Sequence, residues 1–224
     1  MNIKKEHKII LPLYKIAYAI FFIVILCLIR GVSISYEVGI ATEPMLAMLA
    51  AAFCSDTYTQ EITSGRSEVL RLFPVKNRTC FVIKRMILQG LFLLMLGAAG
   101  YGLFFLFQKP LLFSVMQPGA IGEAAQFFLF LTAAAVTIAF WGTLSNTFAC
   151  LFRNPWAGIG VSLILWLLTN SGSANRLLGS WNLFSYSFRD INGGRDLSWL
   201  CGKAVCTVLC LAMTAALPRL LKKR

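Results

Sequence analysis

The sequence predicts an all-α integral membrane protein. A single domain over residues 1–224 is expected to hold six transmembrane helices, with both termini cytoplasmic and a short amphipathic coupling helix between the second and third spans. Three observations lead there. First, 58% of the 224 residues are hydrophobic, only 13% are charged, and the mean hydropathy is +0.73. A soluble domain carries about 25% charged residues, so too little polar surface remains to cover a water-soluble globule of this size. An ordinary soluble enzyme, a disordered chain and a secreted disulfide scaffold are excluded. Second, six unbroken apolar stretches approach the roughly 20 residues that a membrane helix needs. None alternates with the period of two that a β-barrel strand requires. Third, the cations are one-sided. Of 21 Lys and Arg, 15 fall in segments on the side of the N-terminus, five on the opposite side, and Lys203 lies within the last span. That bias puts both termini inside. The net charge of +12 is then a topology signal and an attraction to anionic lipid headgroups, not the footprint of a nucleic-acid partner.

The first span covers about residues 16–36, with its cleanest apolar core at 16–29. Lys4, Lys5 and Lys8 precede it as in a signal peptide, but Arg30, Tyr36 and Glu37 follow with no small-residue cleavage site. The remaining spans are about 38–54, 80–107, 124–151, 156–169 and 197–217. Between the fourth and fifth only a tight inner turn at 152–155 remains. Two loops are long enough for structure of their own: an inner one at 55–79 and an outer one at 171–196. In the inner loop Asp56, Glu61 and Glu68 stand among Arg66, Arg71, Lys76 and Arg78. Val69, Leu72 and Phe73 share one helical face. Ser67 caps that short helix and Pro74 ends it. Its apolar face rests on headgroups or fits a groove in a cytosolic protein. In the outer loop Trp181, Phe184, Tyr186 and Phe188 predict an interfacial or re-entrant helix around 177–188 that plugs the outer surface or lines an exit. Asn192-Gly193-Gly194 then makes a turn before the last span.

Polar residues at depth are functional candidates by default. Arg30 and Glu43 are the candidate lining groups of a transport path, and the competing expectation is a structural pair, Arg30 with Glu43 or with Glu37. Lys203 is expected to snorkel to the outer headgroups. Asn146 and Asn170 are expected to hydrogen-bond between helices. Small residues at Ala47/Ala51, Ala98/Gly102 and Gly158/Ser162 predict close helix contacts. The phenylalanines at 104, 105, 107, 127, 128 and 130 are expected to face lipid, with a hydrophobic substrate cleft as the lesser alternative. The seven cysteines contain no C-x-x-C pair and the single His7 completes no metal set, so the cysteines read as small apolar fillers. No nucleophile elbow, phosphate-binding loop or carboxylate pair within a span occurs. No catalytic site and no metal site are expected, and the chain itself binds no cofactor.

The inner loop reads EITSGRSEVLRLFPVKNR, with Lys84 entering the third span. Together with six spans and both ends inside, this resembles the type-2 ATP-binding-cassette exporter permeases. The pattern of that family falls here on Glu61, Gly65, Glu68, Leu70, Leu72, Pro74, Lys76 and Arg78, and the run Leu151-Phe152-Arg153-Asn154-Pro155 is also similar. The likeness is specific over about residues 61–85. It implies that Glu61, Gly65, Arg66, Glu68, Leu70, Leu72, Phe73 and Pro74 form a coupling helix seated in a cytosolic ABC ATPase. Two such ATPase subunits and a second permease, identical or homologous, would complete the unit, with ATP and Mg on the ATPases. It further implies a bacterial cytoplasmic membrane and an exported substrate, with a hydrophobic or amphipathic peptide or antimicrobial as the expectation. One departure is the N-terminal interfacial helix of the family, for which only residues 2–14, interrupted by Pro12, are present. The alternative is a non-transporting immunity or sensory membrane protein whose inner loop docks a cytosolic partner.

Overall fold

The computed structural model describes residues 10–57, 59, 78–112, 122–184 and 199–222. The amphipathic helix expected from Ser67 to Pro74, residues Tyr186 and Phe188, and the Asn192-Gly193-Gly194 turn lie outside the described residues. Among those described, the regular elements are helices: α1 (Leu13–Ile29), α2 (Glu37–Cys54), α3 (Arg78–Gln108), α4 (Glu123–Phe152), α5 (Pro155–Asn170), α6 (Gly172–Leu178) and α7 (Trp199–Lys222). A single 3-10 turn, Gly179–Trp181, follows α6.

Six apolar helices thus stand where six spans are expected, but they differ in reach. Among the described residues, Glu37–Cys54, Cys80–Gln108, Glu123–Phe152 and Trp199–Leu220 are long and apolar enough to cross a membrane. Helix α5 and the short helices behind it, bent by 72°, make a fifth if taken as one span. At 17 and 16 residues α1 and α5 are about 25 Å long, short of a hydrocarbon core of about 30 Å. The architecture is therefore a helical membrane bundle with four to five candidate spans.

The first helix stops at Ile29 rather than continuing to Tyr36, and the reason is local. Gly31 opens an extended link in which Ile34 bridges to Leu111. The Gln108 side chain donates to the carbonyls of Cys27 (2.7 Å) and Arg30 (2.5 Å) and accepts from the Val32 amide (2.7 Å). One glutamine so satisfies helix-end carbonyls that have no intrahelical donor and ties the end of α1 to the end of α3. Glu37 accepts from the amides of Ser33 (2.9 Å) and Ile34 (3.3 Å) at the start of α2.

Helix α4 is the hub, packed against α2, α3, α5 and α7. Its turn into α5 is compact: Arg153 takes a left-handed conformation (φ 55°), the Asn154 side chain accepts from the Trp156 amide (3.0 Å), and Pro155 occupies the first helical turn. Proline there forfeits no hydrogen bond. Immediately above, α4 and α5 touch backbone to backbone at Gly158, where an added Cβ would overlap the Ser145 carbonyl oxygen and press on Ala149. In α3 the close approaches fall at Gly97, against Leu46, and Gly100, against Ile23. Gly102, expected to be a contact, faces open space, and Leu93, Gly97, Gly100 and Phe104 form the buried stripe instead. The phenylalanines divide in the same way. Phe104 and Phe130 are fully buried, the latter against the Tyr101 ring, whereas Phe107 and Phe128 are exposed. The expectation that all six face lipid fails for the two that lie on inward stripes.

Gly158→Ala is expected to cost about 1–3 kcal/mol, as overpacking of a filled interface does. Gly160→Ala, two residues on with nothing within 4 Å, is expected to be neutral or slightly stabilising. Thermal unfolding of the two variants in detergent compares them directly; equal midpoints would refute the close contact.

Candidate functional site

Helices α2, α4 and α7 bring three polar side chains together inside the bundle. Glu43, Thr137 and Lys203 are each at most 4% exposed. Thr137 lies at the midpoint of the 30-residue α4. The Lys203 ammonium forms an ion pair with Glu43 Oε1, donates to Thr137 Oγ1 (2.9 Å) and donates to the Leu183 carbonyl (3.3 Å). Thr137 Oγ1 in turn donates to Glu43 Oε1 (2.7 Å). An ammonium has three protons, and all three have an acceptor here. The phenyl ring of Phe184 lies 5.9 Å from Lys203 Nζ, and Trp141 stacks on that ring at 5.5 Å.

The fourth wall is not a helix. After the Gly179–Trp181 turn the chain dips back into the bundle, so that Leu183 and Phe184 are buried. Asn182 holds the dip. Its side chain donates to the Thr169 carbonyl (2.9 Å) and to Asn175 Oδ1 (2.8 Å), and accepts from the Phe184 amide (3.3 Å). The Leu183 carbonyl thereby reaches Lys203 and also accepts from Cys206 Sγ (3.8 Å). Opposite, Glu43 precedes Pro44, whose carbonyl accepts from Trp166 Nε1 of α5 (2.8 Å). Every element around the centre is thus attached to the ion pair or to a residue beside it.

A second polar cluster ties α1, α2 and α3 together where the chain leaves α2. Lys15, 3% exposed, forms an ion pair with Asp56 and donates to the Phe53 carbonyl (3.0 Å). The same ammonium lies 5.2 Å from the Phe53 ring centroid. Thr57 Oγ1 donates to Gln89 Oε1 (2.7 Å), and Gln89 Nε2 donates to the Ile10 carbonyl (3.3 Å). Arg85 covers the Phe81 ring at 4.1 Å.

The residues singled out from sequence fare unequally. Glu61, Gly65, Arg66, Glu68, Leu70, Leu72, Phe73 and Pro74 lie outside the described residues. Arg30 is exposed at the end of α1 and makes no ion pair among the described residues, so neither expected pairing, with Glu43 or with Glu37, occurs. Glu43 pairs with Lys203 instead, and Lys203 turns inward rather than snorkelling, because a satisfied partner inside costs less than a long reach to the headgroups. Asn146 does reach another helix, donating to Met86 Sδ (3.4 Å), whereas Asn170 bonds back to the Trp166 carbonyl of its own helix (3.2 Å). Sequence reasoning missed Thr137, Lys15 and Asp56. A usable signal was present: Glu43 and Lys203 are opposite charges within separate apolar stretches, and each is cheapest when it finds the other. Threonines are too common in membrane helices to stand out.

All seven cysteines are free thiols, and no group of three metal-ligating residues occurs among the described residues. Compared with known proteins, the chain matches no family model, no curated protein and no solved structure.

Removing one partner of a buried pair strands the other charge, at a cost of about 3–5 kcal/mol. Glu43→Gln and Lys203→Met are each expected to lower the unfolding midpoint sharply in detergent. The double variant is expected to lose much less than the sum. Additive losses would refute the coupling.

Proposed function

We propose that the chain is the membrane-spanning permease subunit of an ABC exporter, working with two cytosolic ATPase subunits and a second permease in the bacterial cytoplasmic membrane. The substrate on this reading is a hydrophobic or amphipathic peptide or antimicrobial. The chain has no catalytic site of its own, and ATP and Mg belong to the partner. The observation that carries the proposal is where the family-like segment joins the bundle. Residues 55–77, which hold most of that segment, connect α2 to α3, and the helices on either side are fastened to their neighbours. Lys15 grips Asp56 just past the end of α2, and Gln89, about three turns into α3, is bonded to Thr57 and to the Ile10 carbonyl.

The mechanics follow from those attachments. Closure of an ATPase dimer presses on the loop, and the Lys15–Asp56 and Thr57–Gln89 contacts make the ends of α1, α2 and α3 move as one body. Along α2 the displacement reaches Glu43, and through Lys203 it reaches α7. Glu43 and Lys203 act as a latch between α2 and α7 midway along the path, and Arg30 stands near its far end. ATP shifts such an equilibrium only if the ATP-bound partner favours one helix arrangement over the other.

Two loop substitutions test this. Purified from its native membranes, the wild-type chain is expected to bring an ABC ATPase with it. Glu68→Arg and Leu72→Asp are each expected either to break that assembly or to leave ATP hydrolysis running without export. If both variants assemble and export normally, the coupling role fails. Stable association without ATP-dependent export by the wild type would indicate an immunity or sensory protein instead.

A further inference from the structure

Helices α3 and α7 both pack against α4, and they meet one another at Val82 and Leu217. These two residues are buried in a small apolar cluster of their own, with Ile83 and Met86 packed beside it. Beyond that contact a groove of about 280 Å³ runs between α3 and α7. Ala135, Ala139 and Gly142 of α4 form its floor, and their spacing puts them on one helix face. Gly90 and Leu94 stand in the α3 wall, and Cys210 and Thr214 in the α7 wall. The groove opens sideways from the bundle. Ala139 is exposed although α4 is the hub. Ile87 and Leu91, also in the α3 wall, keep 57% and 53% of their surface.

The groove lies at membrane depth and toward one side. Helices α3, α4 and α7 each hold a stretch long and apolar enough to cross a membrane. Residues 86–108 of α3 carry no charge, a length of about 34 Å against a hydrocarbon core of about 30 Å. From Ile83 to Leu94 the wall measures about 16 Å. That is the depth of one leaflet, the one at the basic end of α3. There Lys84 is exposed, and its spacing from Ile87 and Leu91 puts it on the same edge of α3. Arg219, also exposed, lies two residues past Leu217 at the same end of the bundle.

These features select an occupant. What surrounds an open groove at this depth is acyl chains, and an empty groove forfeits the van der Waals contacts of its lining. Its hydroxyls ask for nothing: Thr143 donates to the Ala139 carbonyl (2.6 Å) and Thr214 to the Leu211 carbonyl (2.9 Å). Spread over its length, the volume gives a mean cross-section of about 17 Å². That admits one extended hydrocarbon chain and is far too narrow for a partner helix, about 10–12 Å across. We propose that the groove is a lipid site, holding one acyl chain of an anionic phospholipid from the leaflet at the basic end, with the headgroup beside Lys84. A tail gains no hydrophobic transfer energy there, since its neighbours in the bilayer are equally apolar. Retention rests on packing from three sides and on the attraction of Lys84 for the headgroup, a several-fold preference per cation. The proposal stands without the export reading.

The probe is phosphatidylglycerol carrying a photoreactive diazirine midway along one acyl chain, mixed with phosphatidylcholine in nanodiscs that hold the full chain. Irradiation and peptide mass spectrometry are expected to place the label on residues 83–94, 135–143 and 210–214, well above its density on the exposed faces of α1 and α5. Gly90→Leu is expected to cut that label several-fold: a Cβ there meets Ile138 at 3.8 Å, an ordinary contact, so the rest of the side chain takes the place of the tail. Ala139→Leu fills the floor from an exposed position, is expected to act alike, and decides the matter if Gly90→Leu lowers the unfolding midpoint. Gly102→Leu, the same change on the same helix where nothing lies within 4 Å, is expected to leave the label as it was. Lys84→Gln is expected to weaken labelling by the phosphatidylglycerol probe several-fold while sparing that by a phosphatidylcholine probe with the same tail. Label no denser in the groove than on α1 and α5, or unchanged in both filled variants, would overturn the site. Crosslinks there to protein in place of lipid would overturn the lipid as its occupant. Equal labelling of the wild type by the two probes would overturn the anionic preference.

Discussion

A charged group inside a membrane helix bundle persists only where the protein supplies what water would have supplied. In this chain the requirement falls on Lys203, four residues into α7 and almost fully buried. It takes a carboxylate from α2, a hydroxyl from α4 and a backbone carbonyl from the segment after the 3-10 turn. The last contact explains the least regular part of the fold. A carbonyl inside a helix is already engaged by the amide four residues on, whereas the non-helical 182–184 stretch offers one to Lys203 as it enters the bundle, and Asn182 satisfies groups exposed by that entry. The chain bends by 72° between α5 and the short helices that lead into this stretch.

The same requirement appears where the chain leaves α2, solved differently. Lys15 and Asp56 are not equally buried: the Asp56 side chain keeps 24% of its surface and the Lys15 side chain 3%. An ion pair open on one side keeps part of its hydration and is worth less, but it is also less costly to break. The two pairs therefore suit different tasks. The deep one holds α2, α4 and α7 in a single arrangement, and the half-open one joins the start of α1 to the residues that follow α2.

How much of this was legible in the sequence divides along the reach of the interactions. The boundaries of α2, α3, α4 and α5 follow from apolar length and from local stop signals, so they were readable to within two residues. The turn Arg153-Asn154-Pro155 was readable because proline at a helix start and asparagine as its cap act on their immediate neighbours. The end of α1 was not, because it depends on Gln108, some 80 residues away, presenting its amide to two carbonyls. Small-residue spacing located close packing at Gly158 but misplaced it in α3, since several phases of glycine satisfy the same spacing and only the partners Leu46 and Ile23 choose among them. The ion pair was half legible. Both residues were conspicuous, but pairing is decided by which helices are neighbours, and apolar periodicity does not record that.

Satisfaction of buried groups also separates what the fold needs from what it leaves open. Around Lys203 every proton of the ammonium is accepted, and the pair requires nothing further from outside. One aromatic layer away, Trp141 and Ser162 are equally buried and have no partner among the described residues, beside a space that the surrounding side chains do not fill. A fold selected for stability alone has simple remedies there: phenylalanine in place of Trp141, alanine in place of Ser162, or a larger residue at Ala51 or Ala52. Each removes an orphaned donor or the void that accompanies it.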